Sequence, residues 1–278
     1  MIKFTSNLLI VVFFLSVFGC STDVKSIRED QLTADAPVNE KSKLTFQQFM
    51  TKVPSPLEIT KTFSMAKVDY DRTLLRPVKK GYEFPSSSQK ALNYGGYLAD
   101  LAYISLFDQN QDLIKYFVVS RKFAHGLNAG TSFDKVTDAR FEKNVGNKDS
   151  LLKIMDVAYR ATNEYLLTNK RLNLAVQMFA GSWIESLYIS IELVKSKGRN
   201  KGTEVMFKKI YDQKANLLVL IQLLYESKKD NEIKFLIVEF ENLQKAFNDI
   251  HSPAEVNEES LILVLAKVSA IRNKIIEE

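Results

Sequence analysis

The sequence predicts an all-α protein, an antiparallel bundle or array of about nine helices, on three observations. No proline occurs between Pro85 and Pro253, a span in which average usage of about 5% places roughly eight. Proline removes a backbone donor and clashes with the preceding turn, so long spans without it suit long helices. Apolar residues also recur at helical spacing: Leu236, Phe240, Leu243, Phe247 and Ile250 form one stripe, Leu261, Val264, Val268, Ile271 and Ile275 another, and Phe207, Tyr211, Leu218, Ile221 and Tyr225 a third. Finally, residues that start and stop helices fall between these stripes, and no segment reads convincingly as a strand.

Taken in order, the elements begin at Ser55-Pro56-Leu57-Glu58, a capping box with proline at the first helical position. It opens a helix over 55–67. Further helices are expected over 87–107, 110–127, 132–144, 149–168, 171–196, 203–227, 231–250 and 257–276. Ser132 and Asp149 are the expected caps of the helices that follow them, and Gly130, Gly146 and Gly198 mark breaks. The connections are short, so sequential neighbours should pack antiparallel.

Two of these helices, 87–107 and 171–196, are apolar almost all round and should be central. They also echo each other. Gly96 to Phe107 reads GYLADLAYISLF and Gly181 to Glu192 reads GSWIESLYISIE, at an offset of 85 residues. Three further helices are expected after each. The echo suggests two pseudo-repeated four-helix halves, set against coincidence between two apolar helices.

The N-terminus carries a different signal. A single charge at Lys3 precedes an apolar run of about 11 residues, Leu8 to Phe18, which fits a signal-peptide core and is short of the ~20 that span a bilayer. The run ends in Val17-Phe18-Gly19-Cys20, and Cys20 is the sole cysteine of the chain. This ending resembles the lipobox of bacterial lipoproteins, with Phe18 bulkier than usual. The resemblance implies that residues 1–19 are removed and that Cys20 is acylated. An exported thiol is a liability in an oxidising compartment, and thioether formation removes it. Residues 20–43 are polar and lack an apolar stripe, so they read as a flexible tether. Residues 44–278 are then the helical domain, large enough to bury a sizeable core. Ser21 after Cys20 gives no inner-membrane retention signal, so the outer membrane is the expected location.

The segments VPSPLEITKTF, NYGGYLADLAYISLFDQNQDLIKYF and AGSWIESLY together resemble an uncharacterised family of all-helical lipoproteins from Bacteroidetes. The resemblance covers most of the chain after the tether. It implies a helical body and a lipid anchor, and it implies no activity.

Composition narrows the function further. Hydrophobic residues make up 46% and charged residues 26%, an ordinary globular balance. The excess of 38 Lys+Arg over 33 Asp+Glu is spread along the chain and is no nucleic-acid footprint. The sequence has no Gly-x-Ser-x-Gly elbow, no phosphate-cradling glycine loop and no His-Glu-x-x-His. No metal set and no cofactor motif emerge. The two histidines, His125 and His251, lie near expected helix ends, where an imidazolium favours the dipole. Lys195 to Lys201, KSKGRNK, reads as a solvated basic loop, with anionic lipid or lipopolysaccharide head groups as the sharper alternative.

What remains is a pair of carboxylates in apolar helices, Asp100 and Glu185. Each has a glycine four residues back, Gly96 or Gly181, and a tyrosine three residues on, Tyr103 or Tyr188. That spacing puts glycine, acid and tyrosine on one helix face. A buried carboxylate must be paired, hydrogen-bonded or protonated, and Arg121 and Arg160 are the expected partners. A register-fixing polar network is the first reading of Asp100, Tyr103, Glu185 and Tyr188. A small-ligand site or an acid/base pair of an envelope hydrolase, in a polar cleft near the two acids, is the alternative. The sequence as a whole argues for a membrane-anchored binding or scaffold protein, with a protein or small-ligand partner, rather than an enzyme.

Overall fold

The computed structural model describes residues 40–52, 62–63, 66–78, 84–226 and 234–277 of the chain. The signal segment with Cys20, the tether up to residue 39 and the capping box at 55–58 lie outside them.

The described residues form helices and connecting segments, with no strand among them. The helices are α1 (Glu40–Lys52), α2 (Ser87–Ile104), α3 (Asn110–Gly126), α4 (Gly130–Phe141), α5 (Lys148–Thr168), α6 (Leu172–Lys197), α7 (Glu204–Glu226), α8 (Lys234–Asn248) and α9 (Glu258–Glu277). From α2 onward each expected helix is present, with ends within about three residues of those read from periodicity. The expected caps at Ser132 and Asp149 are not where the helices begin. Both residues sit inside the first turn: α4 starts after Ala129 with no side-chain cap, and Asn147 caps α5 by accepting from the Ser150 N–H at 3.0 Å. The capping box of α2 is Ser86 with Gln89.

Helix α1 starts at Glu40, inside the span read as tether. Its burial rests on Phe46 and Phe49, one turn apart, and the Phe49 ring meets Phe179 of α6 edge-on at 5.0 Å.

Two rings of helices share one seam. Helices α2, α3, α4 and α5 contact one another in sequence, and α5 returns to α2; α6, α7, α8 and α9 do the same, with α9 returning to α6. The seam is α2 against α6, the most extensive contact in the fold. Its closeness has a chemical cause. A Cβ on Gly95 would lie 1.9 Å from the Met178 carbonyl oxygen, and a Cβ on Gly181 would lie 1.9 Å from that of Leu92. Backbone therefore packs directly on backbone. The echoed glycines meet different neighbours, because Gly96 lies under the Arg76 guanidinium instead. Helix α6 is long and apolar enough to cross a membrane, yet 94% of its most apolar window is buried inside the protein, which makes it the core helix.

The segment from 66 to 78 crosses this assembly as a strap. Proline at 77 biases Arg76 toward extended backbone, and Leu74 and Leu75, at the end of the Arg72–Leu74 turn, are buried. Tyrosines hold the strap down. Tyr97 donates to the Pro77 carbonyl at 2.9 Å, Tyr116 donates to the Arg76 carbonyl, and the Tyr103 hydroxyl accepts from the Asp71 N–H at 2.8 Å. Burial pushes the Tyr103 hydroxyl up to about 12, although the Asp71 N–H lowers it, so it stays neutral in that role.

Candidate functional site

Where the strap meets the seam, four ionisable side chains are gathered inside the protein. Asp100 comes from α2, Glu185 from α6, Arg76 from the strap and Arg272 from α9. The first three have no accessible surface, and Arg272 has 7%. Burying a charge is costly unless it is paired and hydrogen-bonded, so the contacts define what the cluster does.

Glu185 is the hub. Its Oε2 accepts from Arg76 Nε at 2.6 Å, and Arg272 Nε reaches Oε1 and Oε2 at 2.9 and 3.0 Å. Arg272 Nη2 lies 2.9 Å from Oε1 as well, so Arg272 engages both oxygens through two nitrogens. The same Nη2 donates to the Leu74 carbonyl at 2.9 Å, tying the last helix to the strap. The Arg272 guanidinium also lies 4.2 Å above the Tyr188 ring. Burial alone would lower the pKa of Arg272, but Glu185 and Asp100 more than reverse this. Asn93 adds a neutral bridge. It accepts from Arg76 Nη1 at 3.1 Å and donates to the Gln89 and Ile275 carbonyls at 3.0 and 2.9 Å.

Asp100 is held more loosely. One oxygen accepts from the Arg76 backbone N–H at 3.3 Å, and the other has no partner among the described residues, nor does Arg76 Nη2. Burial lifts the Asp100 carboxyl well above the usual range and the Glu185 charge adds to the rise; Arg76 and Arg272 pull it back only in part.

Arg76 occupies its place because Gly96 has no side chain: a Cβ there would lie 2.0 Å from Arg76 Cζ. The spacing of glycine before acid therefore makes room for a guanidinium on α2 and for a backbone carbonyl on α6. The two tyrosines divide between different tasks, Tyr103 on the strap and Tyr188 under Arg272.

The expected arginines are elsewhere. Arg121 pairs with Asp134 at 2.8 Å and Arg160 with Asp156 one turn back at 2.8 Å, and both face outward. Sequence reasoning missed Arg76, Arg272 and Asn93. Arg272 carried a signal, since it follows Val268 by four residues and so shares the buried stripe of α9. Arg76 stands alone between Leu75 and Pro77, and nothing in the local pattern points it inward. Neither Asp100 nor Glu185, the acids of the alternative cleft reading, has accessible surface among the described residues.

Away from the cluster, His125 lies in the last turn of α3 and its Nε2 is 2.9 Å from Asp134 Oδ2. The basic loop after α6 is largely paired: Lys197 meets Asp69 at 2.6 Å and Arg199 meets Glu204 at 3.0 Å. No group of three or more His, Cys, Asp or Glu residues is placed to hold a metal among the described residues. Comparison of the chain with protein-family models, with curated proteins and with solved structures gives no match.

Proposed function

We propose that the chain is a lipid-anchored protein of the bacterial cell envelope, at the outer membrane, belonging with the all-helical Bacteroidetes lipoproteins it resembles, and that it acts by binding or scaffolding. The observation that carries this is the run Leu8–Phe18 ending in Gly19-Cys20 in a chain with no second cysteine. Acylation at Cys20 supplies several chains, each buried methylene contributing about 0.8 kcal/mol, enough for stable anchoring. The closed Arg76–Glu185–Arg272 cluster supports a non-catalytic role. Its carboxylate, Glu185, is held by two fixed guanidinium groups, and neither it nor Asp100 has a surface on which a substrate could bind. Such a network sets the register of strap, seam and last helix.

The test is metabolic labelling with a fatty-acid analogue. The wild-type chain should take up label and partition with membranes, and Cys20→Ser should do neither. Equal labelling of the two would overturn the anchor.

A further inference from the structure

The outer face of α9 is apolar and uncovered among the described residues. The helix turns Leu261, Val264, Val268, Ile271 and Ile275 inward, which leaves Glu259, Ile262, Leu263, Ala266, Ala270 and Asn273 exposed. Those outward positions recur at intervals of three and four, so they lie along one stripe of the helix. Ile262 is 54% exposed and Leu263 48%. A single exposed apolar side chain is ordinary. Two large ones, continued by two alanines with no charge on the line between Glu259 and Asn273, form a patch of the kind that marks an interface.

The stripe is complementary to itself. Ala266 lies at its middle, with Ile262 and Leu263 before it and Ala270 after it. Glu259 stands seven residues before Ala266, and Asn273 and Lys274 stand seven and eight after it. When a second α9 runs antiparallel through the same Ala266, the bulky half of each helix falls on the small half of the other. Alanine at the crossing lets the two backbones approach closely. At each end Glu259 of one copy is then level with Asn273 and Lys274 of the second copy. Glu259 makes no ion pair among the described residues, and Lys274 meets no carboxylate there, its ammonium lying 4.6 Å from the Phe235 ring centre. A parallel arrangement would instead set Glu259 against Glu259 and the bulky halves against each other.

We infer that the chain pairs with a second copy of itself through antiparallel α9 helices that cross at Ala266. The apolar contact of Ile262 and Leu263 with Ala270 of the second copy drives the pairing, and the two Glu259–Lys274 contacts at the ends set its direction. The surface belongs to the last helix and uses nothing of Cys20, so the pairing stands or falls separately from the labelling result.

Sedimentation of the full chain carrying Cys20→Ser, in density-matched detergent over a dilution series, tests it. The chain should show twice the mass of one copy at the highest concentrations and dissociate on dilution. Ala266→Glu, at an exposed position that leaves the core untouched, should show the mass of one copy throughout. Glu259→Lys should raise the dimer Kd severalfold, and adding Lys274→Glu should bring it back. In the same background, Ala266→Cys should cross-link to itself on mild oxidation, because the two copies of the residue face each other. Glu259→Cys should not, since its two copies lie about 21 Å apart along the paired helices. The mass of one copy at every concentration, a dimer that survives Ala266→Glu, no rescue by the charge exchange, or cross-linking through position 259 rather than 266 would each overturn the inference. Far-ultraviolet circular dichroism confirms that the variants keep the wild-type fold.

Discussion

Replacing Glu185 by Gln changes one oxygen to an amide and removes one charge from the interior. Two guanidinium groups then share the seam with Asp100 alone, and Asp100 contacts Arg76 only through a backbone N–H at 3.3 Å. The amide can accept from one arginine but presents its own N–H₂ to the other, so the contacts at 2.6, 2.9 and 3.0 Å cannot all persist. Breaking a buried pair by removing one partner costs about 3–5 kcal/mol. For a chain of this size that corresponds to a fall in Tm on the order of 10 °C. It is a large share of the ~5–15 kcal/mol that holds a domain folded. The measurement is convenient because the chain has one tryptophan, Trp183, which is 1% exposed in α6 two residues before Glu185. Its indole donates to Gln213 of α7 at 2.8 Å and its ring lies 5.7 Å from Phe240 of α8, so its fluorescence follows the packing of α6 in its ring during urea or thermal unfolding. A Gln variant that melts within about 1 °C of wild type would refute the view that the carboxylate charge holds the two arginines.

Asp100→Asn should behave in the opposite way. Because burial raises the folded-state pKa of Asp100 above the ordinary 3.8, the native state binds the proton more tightly than the unfolded state does. Stability from this group is complete below the unfolded value and is lost as pH rises through the folded one. Wild-type Tm should therefore fall as pH is raised from about 4 toward neutrality, and Asp100→Asn should flatten that fall, which melts across this pH window would show. Gly181→Ala places a methyl group 1.9 Å from the Leu92 carbonyl oxygen, a backbone atom that cannot rotate away. A loss of about 1–3 kcal/mol or more is expected by denaturant titration, and wild-type stability would mean that the seam is looser than backbone contact.

The helices could be read from the sequence because each is decided locally. The stripe from Leu236 to Ile250, for example, marks α8 without knowledge of what it packs on. Helix α1 escaped because 13 residues with Phe46 and Phe49 as the buried pair among Lys, Glu and Gln carry little periodicity, and only packing on Phe179 decides the matter. The two acids could be picked out for the same local reason, an isolated charge in an apolar helix. Their partners could not. Arg76 is 109 residues from Glu185 in a segment without periodic structure, and its inward course depends on tyrosines of α2 and α3. Arg121 and Arg160 drew attention for their apolar neighbours, yet both side chains fall on the outer sides of their helices.

The strap also fixes when folding can finish. Leu74 is joined to Arg272 across 198 residues, and Asn93 to Ile275 across 182. Local helices can form early, but the charges at the seam have no complete set of partners until α9 arrives. Loop closure over such separations is slow relative to helix growth. A chain lacking its last twenty or so residues would therefore carry Glu185 and Arg76 in an open, hydrated seam, and α2 and α6 would lack the clamp that holds them. In kinetic terms the last helix is the lock of the molecule, and refolding should show its slowest conformational phase in tertiary packing rather than in total helix content.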